Sequence, residues 1–327
     1  MIGETRANVR NLPGTVNMAK SPVATVGGQA VIEGVMMRAP SAWSVAVRNP
    51  SGEIEAVRHR LPRLSSRSRW ARVPLVRGVL VLGESLTLGF RALAWSGQRS
   101  VGEDEEPVTK GQMAGSMTIA ALFFVAFFIV VPLLVVRWGG LDASSWVFHL
   151  VEAVIRITLL VGYVWLIGRW DEIGRVYAYH GAEHMTIHAY EAGDPLDRDH
   201  ISAYRPEHPR CGTSFLLLVM LTAIVVFSLV GSLPWYGLIA SRVVLIPVVA
   251  GISYELLKLG GAQADRPVGR ILTAPGLWLQ RLTTRVPEKN MIDVAVAALL
   301  VALTDEEVDK LARRGPIIPE ALNATRR

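Results

Sequence analysis

Apolar and polar segments alternate along this chain on the scale of whole membrane spans. Four apolar runs each come close to the ~20 residues that an α-helix needs to cross a bilayer. Between and around them lie polar segments long enough to form soluble parts. The pattern predicts an α-helical polytopic membrane protein, with four transmembrane helices at residues 113–136, 146–168, 213–231 and 235–259.

The basic residues of the connecting segments predict an orientation for this bundle. The segment between the second and third runs contains five arginines, whereas the connection after the first run contains one basic residue, Arg137, and that after the third run contains none. Basic residues that flank membrane helices stay on the cytosolic side. We therefore expect both termini and the polar segment 169–212 to lie in the cytosol.

The polar segment before the first run has the alternation that is typical of β-strands. Apolar and polar residues alternate within 42–48 and again within 53–61, and the turn sequence Asn-Pro-Ser-Gly joins the two stretches. A Gly-Gly pair followed by a short apolar run precedes them, at 23–38. We expect a small antiparallel β element within a cytosolic domain of residues 23–72.

Tails and shorter helices are predicted for the rest of the chain. Residues 1–22 lack the apolar core of a signal peptide and predict a disordered tail. Residues 73–112 predict an interfacial helix followed by an acidic linker. Residues 260–315 predict interfacial and cytosolic helices that include a Thr-Asp-Glu-Glu capping box, and residues 316–327 a tail. Within them, the apolar stretch 291–303 is too short to span a bilayer and predicts a buried helix.

Charge and cysteine content narrow the classes of function. The 327 residues carry a net charge of +6 at pH 7, and their mean hydropathy is +0.34. The basic residues are spread over the segments that flank the apolar runs, which membrane topology alone requires, so we expect no nucleic-acid partner. The single cysteine, Cys211, excludes an internal disulfide and indicates a reduced thiol in the cytosol.

The candidate chemistry is concentrated between the second and third apolar runs. Five of the seven histidines and the only cysteine lie within residues 177–214. There, His180, Glu183 and His184 form the motif H-x-x-E-H. Histidines four residues apart share one helix face, so the two imidazoles can bind a metal while the carboxylate handles a proton. The motif predicts a metal site on a helix.

His208 and Cys211 extend this predicted site. Their H-x-x-C spacing allows a tight turn to point an imidazole and a thiol at one ion, and imidazole and thiolate ligands together favour zinc. Glu183 then acts either as a general base or as the acceptor of an imidazole N–H. The remaining histidines are better explained by hydrogen bonding within the fold, and these are His59, His149, His188 and His200.

Several longer motifs resemble those of a known family. GGQAVIEGVMMR, YHGAEH, HPRCGTSFL, YELLKL and PGLWLQRLTTR occur in the order found in the YqhQ-like family of bacterial membrane proteins, described as predicted metal-dependent enzymes. The resemblance spans roughly residues 26–300. It implies a location in the bacterial inner (cell) membrane. It also implies site residues at the matching positions, which are His180, Glu183, His184, His208 and Cys211.

Three functions remain open on these observations. A zinc-dependent hydrolase at the cytosolic membrane surface would use His180 and His184 as ligands, His208 or Cys211 as the third, and Glu183 as the base. A metal-stabilised scaffold or assembly factor would instead hold a membrane-protein partner or another copy of the chain. Metal transport would need metal ligands inside the spans. The predicted spans contain a single imidazole, His149, which argues against transport. Four protein ligands would indicate a structural metal, and three with an open position a catalytic one.

Charged residues inside the predicted spans lead to one further expectation. Glu152 and Arg156 are four residues apart in the second span, and Arg242 lies in the fourth. Lone charges at membrane depth are costly and are usually paired. We expect Glu152 to bridge both arginines inside the bundle, with the lipid bilayer around it.

Overall fold

A computed structural model describes residues 25–61, 69–100, 109–141, 145–231, 233–263 and 266–324. The described residues are mostly helical, with one β-sheet near the N-terminus. The predicted disordered tail and the acidic run within the predicted linker lie outside them.

Four antiparallel strands form the sheet in sequential order, which confirms the predicted β element. They are β1 (Gly27–Val31), β2 (Gly34–Arg38), β3 (Ala42–Arg48) and β4 (Ile54–Arg60). In the turn between β3 and β4, the Gly52 N–H donates to the Asn49 carbonyl at 2.9 Å. Gly52 has a φ of 86°, which glycine adopts without steric cost.

The helices that follow lie on both sides of this sheet and beyond it. In chain order they are α1 (Val76–Arg99), α2 (Lys110–Val125), α3 (Val131–Trp138), α4 (Trp146–Ile167), α5 (Asp171–Ala192), α6 (Arg198–Ser202), α7 (Gly212–Ser228), α8 (Trp235–Val244), α9 (Ile246–Ala262), α10 (Pro267–Thr283), α11 (Lys289–Ala302), α12 (Asp305–Ala312) and α13 (Pro319–Ala324). A π-helical turn, Ala126–Val130, joins α2 to α3.

Both faces of the sheet are covered, so β3 is buried at apolar and polar positions alike. On one face Trp43 and Val45 pack with Leu88 of α1. On the other face Ala46 belongs to a core shared with α5 and α11, and the Ser44 hydroxyl donates to the Ala298 carbonyl. α11 is buried along almost its whole length, as the short apolar stretch predicts.

Among the described residues, three helices are long and apolar enough to cross a membrane, judged by length and composition: Val76–Arg99, Ala114–Trp138 and Trp146–Ile167. α8 and α9 form a fourth candidate if the pair, bent by 44°, counts as one span. The predicted third span corresponds to α7, whose 17 residues fall short of the ~20 required. Conversely, the predicted interfacial helix is α1, which meets the criterion although one of its faces packs against the sheet.

The predicted ion bridge is present between α4 and α8, which confirms it. Glu152 accepts a hydrogen bond from Arg156 at 2.5 Å and another from Arg242 at 3.0 Å, and all three side chains are buried. Arg156 Nε also donates to the Phe128 carbonyl at 2.9 Å. Pro132, four residues after Phe128, has no N–H to offer that carbonyl, so the arginine takes the place of a helix donor.

The C-terminal helices close the fold around α11. The capping box at the start of α12 is confirmed, with Thr304 and Glu307 each bonding the other's backbone N–H. Residues 316–327, predicted as a tail, include α13, in which Ala321 is buried against the core formed with α11. The carbonyl of Leu196 accepts a bond from the Ile318 N–H, which ties this end to the segment after α5.

Candidate metal centre

Helix α5 carries the H-x-x-E-H motif near its middle. Two acidic residues in its first turn stabilise the helix by interacting with its dipole. Gly193 ends the helix with a φ of 83°. The helix packs against β1 and α11 and is buried over most of its second half. His180 and His184 lie one turn apart, with ring centroids separated by 4.4 Å.

Cys211 reaches these histidines from the start of α7. It is the N-cap residue of that helix, and its sulfur accepts the Thr213 N–H at 3.3 Å. Sγ lies 3.2 Å from Nε2 of His180, and the ligand atoms of His180, His184 and Cys211 all lie within 4.8 Å of one another. The helix N-terminus favours a thiolate at this position. These three residues form a cluster that could hold a metal ion.

The Nδ1 atoms of both imidazoles are hydrogen-bonded to backbone carbonyls. Nδ1 of His180 lies 2.9 Å from the Thr283 carbonyl, and Nδ1 of His184 lies 2.5 Å from the Pro206 carbonyl. A carbonyl can only accept, so these contacts assign the proton to Nδ1 in each ring. Nε2 is left with a lone pair that faces the cluster. This is the tautomer and orientation that metal-bound histidines have.

Burial sets the protonation of the cluster when no metal is bound. It lowers the pKa of His184 well below its usual range, helped by the neighbouring His180 and His208. Burial also raises the pKa of the Cys211 thiol, against the hydrogen bonds that it receives from Thr213. The imidazole is therefore neutral and ready to bind at pH 7, whereas the thiol must lose its proton to the entering cation.

Glu183 lies beside the cluster, with Oε2 3.6 Å from Nε2 of His184. Its side chain is almost fully buried, and this burial raises the pKa of the carboxyl to about 8, against the lowering effects of His180 and the Gly28 N–H. A Cβ on Gly28 would lie 2.4 Å from the Met36 carbonyl oxygen and 3.0 Å from Glu183 Oε1. Only glycine fits between β2 and this carboxyl.

His208 is adjacent to the cluster but has a different environment. Its Nδ1 accepts the Arg210 N–H at 3.2 Å, so its proton belongs on Nε2, which faces Glu191 at 3.5 Å. Its ring centroid is 5.6 Å from that of His184. Burial lowers the pKa of His208 to about 4. The structure thus joins three of the four predicted ligands and sets His208 beside them with the opposite tautomer.

Gln280 of α10 fixes the turn that leads to Cys211. Its side chain accepts the His208 N–H at 2.7 Å and donates to the His208 carbonyl at 3.0 Å and to Ser214 Oγ at 3.1 Å. The same region meets α5 directly, since a Cβ on Gly181 would lie 2.1 Å from the Arg285 carbonyl oxygen. This contact brings the end of α10, and with it the carbonyl that holds His180, against the motif helix.

Gly28, Gln280 and Thr283 are site residues that the sequence analysis missed. Gly28 lies in the motif GGQAVIEGVMMR, and Gln280 and Thr283 lie in PGLWLQRLTTR, so the family motifs were the available signal for these three residues.

Of the four histidines assigned to hydrogen bonding, His188 and His200 make hydrogen bonds, whereas His59 and His149 have contacts of other kinds. His188 Nε2 lies 3.0 Å from the Glu207 carbonyl, and exposed His200 pairs with Asp197 at 2.6 Å. His59 stacks on Trp43. His149 lies 3.9 Å from Glu152.

Comparison with known proteins assigns a family to this arrangement. Residues 73–305 match the family described as "Protein of unknown function (DUF1385)". The chain is 32% identical over 291 residues to the uncharacterised protein YqhQ of Bacillus subtilis (strain 168), an alignment that covers 83% of this chain and 89% of that protein. No solved structure matches. The chain therefore belongs to DUF1385, the YqhQ-like family.

Proposed function

We propose that this protein is a membrane-embedded metal protein that binds one divalent cation, zinc, through His180, His184 and Cys211. The observation that carries the proposal is the tautomer of the two imidazoles, whose Nδ1 atoms donate to the carbonyls of Thr283 and Pro206. Both rings consequently turn a lone pair toward the thiol. A set of two nitrogen ligands and one sulfur ligand suits zinc better than it suits the cations that prefer oxygen.

The ligand number favours a hydrolytic role. Three protein ligands leave one position of a tetrahedral site open, which is the arrangement of catalytic rather than structural zinc. Zinc bound there would supply Lewis acidity toward water and toward a substrate carbonyl. Glu183 is outside the ligand set yet within 3.6 Å of His184. Bound zinc would lower the raised pKa of this carboxyl, and the ionised carboxylate would be close enough to accept a proton from water at the open position. Gly28 donates to this carboxylate and orients it.

A metal-stabilised scaffold is the second candidate, and the burial of the site favours it. Among the three ligands and Glu183, only His180 is partly exposed. A metal there would join α5 to the start of α7, two elements that the chain separates by a long connection. In this role the cation would stabilise the fold without turnover.

Glu183→Gln is the variant that distinguishes the two roles. In the hydrolase, the variant should keep its zinc and lose about 10²- to 10⁴-fold in rate on any ester or amide that the zinc-loaded wild type cleaves, because the general base is gone. Glu207→Gln is the matched control, since Glu207 is near the cluster but contacts His188 only through its backbone.

The readout is hydrolysis of a panel of ester, amide and phosphodiester substrates by protein in nanodiscs, together with zinc content. A wild type that holds zinc, cleaves nothing and melts at lower temperature when the zinc is removed would establish the scaffold. Equal rates for the wild type and Glu183→Gln on a cleaved substrate would exclude Glu183 as the base.

The same proposal places the site at the cytosolic surface of the bacterial inner membrane, in a bilayer and with both termini inside. The membrane location is supported by the three to four apolar helices, and the orientation by the arginines of the segment 169–212. The orientation requires that α7 crosses the bilayer and that α1 lies at its surface. Reporter fusions at Gly140 and Pro234 should map outside the cell, and a fusion at Asp197 inside. The opposite pattern would exclude this orientation.

A further inference from the structure

A cavity of about 320 Å³ lies between β4 and the C-terminal half of α1, away from the metal cluster. Its size is at the lower end of the range for small-ligand sites. Trp43 forms one wall and stacks on His59 at 4.5 Å between ring centroids. The cavity is lined by Trp43, His59, Arg60, Arg91 and Trp95.

The cavity is cationic, and its two guanidinium groups are available. Within the part of the chain that the structure describes, neither Arg60 nor Arg91 has an ion-pair partner. The neighbouring Arg99 differs, because it pairs with Glu55 at 3.1 Å. The lining contains no acidic side chain. Two unpaired arginines that line one cavity together with an imidazole favour an anion, and guanidinium groups match phosphate geometry well.

The rest of the lining is aromatic. Trp95 and Trp43 offer flat indole faces that suit the less polar part of a ligand.

We infer that this cavity binds a phosphate group, held by Arg60 and Arg91 and bordered by the two tryptophans. The group can belong to the headgroup of an anionic phospholipid or to a free phosphate compound. Both sources share the same contacts with the two guanidinium groups. The site is independent of the metal cluster and of its chemistry.

The test is isothermal titration of detergent-solubilised, lipid-depleted protein with two probes, a short-chain phosphatidylglycerol and inorganic phosphate. Arg60→Gln and Arg91→Gln should each weaken binding at least about tenfold, as expected for the loss of a charge-assisted hydrogen bond. Arg58→Gln is the matched control, because it removes the same charge from β4 at a residue that does not line the cavity.

Each outcome decides a specific point. Binding of phosphatidylglycerol that depends on Arg60 and Arg91 and that phosphate does not displace identifies a lipid headgroup site. Binding of inorganic phosphate with the same dependence identifies a site for free phosphate compounds. If neither probe binds, or if Arg58→Gln weakens binding as much as the other two variants, the inference is overturned.

Discussion

Replacement of His184 with alanine is expected to lower the zinc affinity of the protein at least about a hundredfold. Even the loss of a hydrogen-bond partner of a metal ligand costs 10- to 100-fold in affinity, and here the ligand itself is lost. Cys211→Ser should have an effect of the same order, since a hydroxyl replaces the thiolate that zinc prefers. Competition with a chromogenic chelator measures both effects.

His188→Ala is the matched control for these variants. His188 lies one turn beyond His184 on the same helix and is also partly enclosed, but its Nε2 is engaged by the Glu207 carbonyl. We expect it to keep the wild-type affinity, with unchanged helical content by circular dichroism. Equal loss in His184→Ala and His188→Ala would mean that disruption of α5, rather than the loss of a ligand, caused the effect.

Glu152→Gln is expected to reduce the free energy of unfolding by about 3–5 kcal/mol, the cost of removing one partner from a buried ion pair. The variant keeps the shape of the side chain but leaves Arg156 and Arg242 without a counter-charge. Both guanidinium groups are buried, and both lie over the Phe227 ring, so water cannot easily replace the carboxylate. Chemical unfolding in detergent measures the change, with exposed Glu172→Gln of α5 as the control.

A double-mutant cycle tests whether the bridge itself causes this loss. Arg242→Met removes the second partner, so in that background Glu152→Gln should cost less than it does in the wild type. The expected coupling is at least about 1 kcal/mol, within the range for residues in one ion-pair network. Additive effects of the two substitutions would show that Glu152 and Arg242 do not stabilise each other.

The fold was predictable from the sequence where the pattern is local. The alternation in β3 and β4 and their Asn-Pro-Ser-Gly turn predict the hairpin, because a two-residue period and a turn glycine are local properties. The burial of both faces of β3 could not be predicted in this way. It depends on α1 and α11, which reach the sheet from distant parts of the chain. α1 was predicted to be interfacial because charges interrupt its apolar sequence, and its packing on the sheet is likewise a long-range contact that this local pattern does not encode.

The same distinction between local patterns and long-range contacts applies to the candidate site. His180 and His184 follow from helix geometry, since residues four apart share a face. The roles of His208 and Cys211 depend on a turn that Gln280 holds from another helix, so the H-x-x-C spacing left them open. The contact of Gly28 with Glu183 joins the first strand to the motif helix, and no local pattern encodes it.

X-ray absorption at the zinc edge of the purified, zinc-loaded wild-type protein tests the central claim most directly. The account predicts one zinc per chain with one sulfur ligand at about 2.3 Å, two imidazole nitrogens at about 2.0–2.1 Å and one further light ligand. A spectrum without sulfur, or with three imidazoles and one sulfur, would contradict the site formed by His180, His184 and Cys211 with an open fourth position. Protein that binds no zinc at all would contradict the metal assignment itself.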